Sequence, residues 1–83
     1  MSSGGDVYRV VVTGPHGETT HEVTVTPEDV SRYAPGFTPE RLLEASFEFL
    51  LEREPASAIL SRFALPAIER YFPEYRRVIS RII

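Results

Sequence analysis

The 83-residue chain contains no cysteine, lysine, asparagine, glutamine or tryptophan. Without cysteine, neither a disulfide framework nor a thiolate zinc site can reinforce a small fold. Without lysine there is no phosphate-cradling P-loop, so Gly14-Pro15-His16-Gly17-Glu18-Thr19 reads as a plain turn despite its glycines. All nine basic residues are arginine. Lysine and asparagine use AT-rich codons, so their absence points to a high-GC bacterial genome. Scarce amides also fit a warm-growing organism. No apolar run approaches the ~18–20 residues that span a bilayer. Met1 to Asp6 is polar and glycine-rich, without the apolar stretch of a secretory leader. These features predict a cytoplasmic protein with a disordered N-terminal segment over 1–6 and no membrane association.

The length suits one domain, expected over 7–83. A chain of this size buries only about 60–65% of the surface it exposes when unfolded, so its core is thin. Oligomerisation is the ordinary remedy once disulfides and metals are excluded. The net charge of −3 conceals an uneven distribution: −6 over residues 1–54 and +3 over residues 55–83.

Residues 7–26 predict a β-hairpin. Val7 to Thr13 and Thr20 to Thr26 are rich in valine and threonine, whose branched side chains suit strands, and the intervening glycines and proline supply turn chemistry. Period two places Tyr8, Val10 and Val12 on one face and His21, Val23 and Val25 on the matching face. Pairing Val10 with Val23 and Tyr8 with Val25, or the register shifted by two, keeps the apolar residues together. A slip of one would expose Val23 and Val25.

Residues 27–83 predict helices, each announced by proline. Thr26-Pro27-Glu28-Asp29 and Thr38-Pro39-Glu40 both place an N-cap threonine before a first-turn proline and acid. The first opens a short helix to about Tyr33, the second the main helix, Pro39 to about Arg53. Further helices are expected over Pro55 to Phe63, Ala67 to Phe72, and from Glu74 onward. Leu43, Phe47, Leu50 and Leu51 make one face of the main helix, suited to the hairpin. Leu42, Ala45 and Phe49 widen that stripe and require a second contact, either the C-terminal helices or another subunit. The fold class is therefore α+β, an N-terminal β-hairpin packed on four to five short helices.

Chemistry-bearing constellations are sparse. His16 and His21 have no partner at a metal-ligand spacing and read as incidental or structural. Glu40, Glu44, Glu48 and Glu52 recur every four residues and read as a solvated face, with contact to arginines as the alternative. The sequence predicts no catalytic residue, no metal and no cofactor. Arg62, Arg70, Arg76, Arg77 and Arg81 form a candidate anion-binding set. In the last helix the arginines lie opposite a stripe of Tyr75, Val78, Ile79, Ile82 and Ile83. Ala58 to Phe72 invites a helix-turn-helix reading. The second helix is too short for that motif, and the net charge has the wrong sign for a compact DNA-binding module.

The strings Phe49 to Pro55 (FLLEREP) and Tyr71 to Tyr75 (YFPEY), behind a valine-rich hairpin, resemble a group of short bacterial proteins of unassigned function. That resemblance spans most of residues 7–79. It implies a free-standing bacterial domain and assigns no activity. The leading expectation is a small non-enzymatic interaction or regulatory module, self-associating as a homodimer or holding a protein partner. Its candidate interface is Leu42, Phe49, Ile82 and Ile83. The alternative is nucleic-acid binding through the C-terminal arginines.

Overall fold

Alternating threonine and valine shape the first element pair. In the computed structural model, which describes residues 5–15 and 17–83, β1 (Asp6–Gly14) and β2 (Gly17–Val25) form an antiparallel hairpin. Gly17 closes the turn at φ 121°, a conformation that glycine adopts at little cost. Tyr8 faces Val23 and Val10 faces His21, so the register is the one shifted by two from the Val10–Val23 pairing. His21, Val23 and Val25 are buried, while Val7 and Val11 point to the opposite, exposed face. The expected disordered segment over 1–6 lies outside the described residues at 1–4, and Asp6 already belongs to β1. His16 also lies outside the described residues.

The proline-led starts form as their chemistry dictates. Thr26 and Asp29 make a reciprocal capping box, with Asp29 N donating to Thr26 Oγ1 at 3.1 Å and Thr26 N donating to Asp29 Oδ2 at 2.9 Å. They open α1 (Pro27–Tyr33). Gly36, at φ 88°, turns the chain toward Thr38, whose Oγ1 accepts from Arg41 N and caps α2 (Pro39–Leu51). Later come α3 (Ala67–Tyr71) and α4 (Tyr75–Ile82). No helix among the described residues is long and apolar enough to cross a membrane.

The helix expected over Pro55 to Phe63 does not form. A single 3₁₀ turn (Ala56–Ala58) leads into an extended stretch and then β3 (Arg62–Ala64), which pairs parallel to β2. The sheet order is β1-β2-β3. The physical reason lies on β2. Glu22 N donates to Ser61 O at 2.8 Å and Leu65 N to Thr24 O at 3.0 Å, groups that a helix over 55–63 would leave unpaired along the second edge of the hairpin. Ile59, Leu60 and Phe63 also suit a helix face, and their spacing alone does not separate the two states. Losing that helix removes the first half of the helix-turn-helix reading.

The core lies between the sheet and the helices. Val23, Val25, Leu42, Phe49, Leu65, Tyr75 and Ile79 are buried there. Phe47 of α2 meets the His21 ring at a centroid distance of 5.4 Å, so the main helix does cover the hairpin. Its other side meets α4. Leu42 and Phe49 are both fully enclosed within one chain, Phe49 against Phe72 and Tyr75, which corrects their place in the candidate interface.

Candidate functional site

The two distinctive strings of the sequence pack on each other. Phe49 stands edge-on to Phe72 at 5.7 Å and to Tyr75 at 5.3 Å. The Arg53 guanidinium lies 3.8 Å from the Phe49 ring centroid. Its Nη1 donates to Phe49 O at 3.1 Å and its Nε to Glu74 Oε2 at 3.3 Å. The Glu74 carboxyl is held below the usual carboxylate range, first by its own backbone N–H and then by Arg53. Pro73 keeps α3 and α4 as separate helices, so residues 71–75 can turn across the end of α2. This junction is a structural joint.

Beside the joint lies a groove of about 250 Å³. Leu50 of α2 forms its floor with Ile68 and Phe72, and Leu60, Phe63 and Tyr71 form its sides. The groove exists because residues 59–61 form no helix. That places Leu60 on the surface opposite α3, with its side chain 50% exposed, while Tyr71 at the end of α3 is 66% exposed. Glu54 also lines the groove. The extended segment is held by His21, which is buried beneath it. Its Nδ1 donates to Leu60 O at 2.8 Å and its Nε2 meets Thr19 Oγ1 at 2.9 Å. A carbonyl can only accept, so in the neutral ring the proton sits on Nδ1 and Thr19 donates to Nε2. His21 is thus a strand-to-segment tie turned away from solvent.

The predicted arginines lie on three elements, Arg62 on β3, Arg70 on α3 and Arg76, Arg77 and Arg81 on α4. All five are exposed, but Arg62 contacts Glu22 at 3.1 Å and Arg76 contacts Glu69 at 3.6 Å. Arg70, Arg77 and Arg81 are divided between α3 and α4. Ile82 and Ile83 are half-buried against the core, and the Ile82 carbonyl accepts from Arg41 at 3.4 Å. Glu40, Glu44, Glu48 and Glu52 all point to solvent, with Glu44 on Arg41 at 2.8 Å and Glu52 on Arg53 at 3.6 Å. Among the described residues no three His, Cys, Asp or Glu side chains converge as a metal site would require.

Leu60 and Phe63 fall within the helix expected over Pro55 to Phe63, and Tyr71 within the one expected over Ala67 to Phe72. Their convergence on one groove follows from the β2–β3 pairing, and in the sequence only the Pro55 and Pro66 brackets mark that stretch. Compared with protein families, curated proteins and solved structures, the chain matches none of them.

Proposed function

We propose that this chain is a small, non-enzymatic, cytoplasmic interaction module that works as a homodimer and offers a second surface to a protein partner. The observation that carries the reading is apolar surface that a single chain leaves uncovered. Val7, Val11, Leu51, Leu60 and Tyr71 are each 41–66% exposed. Val7 and Val11 share the outer face of β1 and Leu60 and Tyr71 line the groove, while Leu51 and Phe37, the latter 47% exposed, lie outside both. Scattered apolar residues are normal on any surface, but two such pairs, one sharing a strand face and one a groove, on so short a chain favour association.

The groove suits an apolar side chain followed by a basic residue, because its walls are hydrocarbon and aromatic and Glu54 offers the counter-charge. Nucleic-acid binding draws less support, since two of its five arginines already hold carboxylates. Light scattering behind a sizing column tests the reading. The expected mass is twice the 9.4 kDa of the chain at micromolar concentration. A mass of one chain at every concentration overturns it.

A further inference from the structure

The sheet has two edges of unlike character. β3 is three residues long, carries Arg62 on its exposed face and is followed at once by Leu65-Pro66. A short edge with a cation and a nearby proline is poorly suited to pairing with another strand. β1 is nine residues long, contains no proline, and pairs with β2 over nine consecutive positions without a bulge. Between Val7 and Thr13 its one charge is Arg9, which lies directly across from Glu22. A long, regular, apolar edge of this kind is an open template for another strand.

The hydrogen bonds define what that edge presents. Glu22 and Thr24 aim their backbone groups at the β3 segment, through Glu22 N to Ser61 O and Leu65 N to Thr24 O. Neighbouring residues of a strand point their backbone groups in opposite directions. His21, Val23 and Val25 therefore bond to β1, where their partners are Val10, Tyr8 and Asp6. Val7, Arg9, Val11 and Thr13 are left with N–H and C=O directed to the free edge.

We infer that the free edge of β1 is the homodimer interface, pairing antiparallel with β1 of a second copy so that Val10 faces Val10 across the two-fold axis. This rests on the self-association reading above and specifies its surface. The occupant is a second copy because the edge complements itself. With Val10 on the axis, Val7 meets Thr13, Arg9 meets Val11, and about eight backbone hydrogen bonds form between the copies. On the inner face Tyr8 meets Val12 twice and Val10 meets Val10. These three side chains are only half-buried in one chain, above a shallow groove between β1 and Leu43 and Phe47 of α2. Sliding by one pair in one direction places Arg9 against Arg9, which like charge disfavours. Sliding in the other direction sets Tyr8 against Gly14 and loses an apolar pair. An isologous contact of this type closes at two subunits.

Substitutions at Val11 read the register, since its side chain is exposed and its backbone faces away from β2. Val11→Lys sets a second cation against the partner's Arg9 at both ends of the interface. Light scattering is expected to fall from two chains to one where the unmodified protein reads two. Val11→Glu faces the same arginine and is expected to remain at two. Because the chain lacks cysteine, Val10→Cys provides an independent reading. At a non-hydrogen-bonded pair the Cα atoms are about 4.5 Å apart, within disulfide range, so mild oxidation should give covalent dimer. Circular dichroism confirms that each variant is folded. A protein of two chains in which Val11→Lys has no effect, Val10→Cys does not cross-link, and Leu60→Glu dissociates the copies overturns this interface and leaves self-association standing. A protein of one chain at all concentrations overturns both.

Discussion

The Tyr75 hydroxyl lies 2.6 Å from Ser46 Oγ, and both side chains are fully buried. Ser46 Oγ also donates to Leu42 O at 2.7 Å. Its single proton is therefore committed, and Tyr75 must be the donor to serine. The chain runs from α4 to α2 to the α2 backbone, so the C-terminal helix is keyed to one position on the main helix. Apolar packing alone would allow α4 to slide.

This direction makes the two ends unequal. Ser46→Ala leaves a buried hydroxyl donor without an acceptor and is expected to cost about 1–3 kcal/mol. Tyr75→Phe removes the donor while Ser46 keeps its bond to Leu42, so about 1 kcal/mol is expected. The double variant should cost less than the sum of the two, because no orphaned hydroxyl remains. Urea unfolding of the three proteins measures all of these values.

Alkali should unfold the protein through its tyrosines. Burial pushes the Tyr75 phenol well above its ordinary value of 10.0, and Tyr33 is raised by burial and by its hydrogen bond to Glu69. Between the ordinary and the raised values the unfolded chain has lost protons that the folded chain keeps. Stability is thus intact below pH 10 and falls as pH rises, by at most about 1.4 kcal/mol per pH unit for each such tyrosine. Tyr75→Phe should flatten this decline. Denaturation curves from pH 8 to pH 11.5 for the unmodified protein and Tyr75→Phe test it.

Replacing His21 should loosen the third strand selectively. His21→Leu keeps bulk against Phe47 and leaves the Leu60 carbonyl without its ring donor, for an expected loss of about 1 kcal/mol. Amide exchange at Phe63 and Leu65 should accelerate, while exchange in the Tyr8–Val23 part of the hairpin changes little. Equal acceleration in both regions would contradict a local tie.

Arg53 should resist conservative replacement. Its planar guanidinium covers Phe49 and bonds to Glu74, and lysine cannot do both. Arg53→Ala is expected to cost about 1 kcal/mol, with Arg53→Lys recovering less than half. Thermal unfolding of the two variants provides the comparison.

Local chemistry carried the hairpin, both capped helices and the division of the C-terminal segment by Pro66 and Pro73. Thr26, Pro27 and Asp29 satisfy the first turn of α1 with groups three residues apart, so no distant contact is needed to place that helix. The groove was not legible in the same way. Ile59, Leu60 and Phe63 fit either a helix or a strand, and the choice rests with Glu22 and Thr24, some forty residues earlier. Leu42 and Phe49 looked like surplus surface because the length of the main helix is visible in the sequence and its neighbours are not.

By itself the sequence determined the hairpin, the starts of the two capped helices, which faces are apolar, and the absence of disulfides and of a lysine-based phosphate site. These follow from side-chain type and short-range geometry. The tertiary structure alone decided that residues 62–64 form a strand, that His21 points inward, and that Tyr75 donates to Ser46. It also decided that β1 keeps a free edge while β2 loses its own. Each of these depends on which distant backbone group finds a partner, and no window of local sequence contains that information.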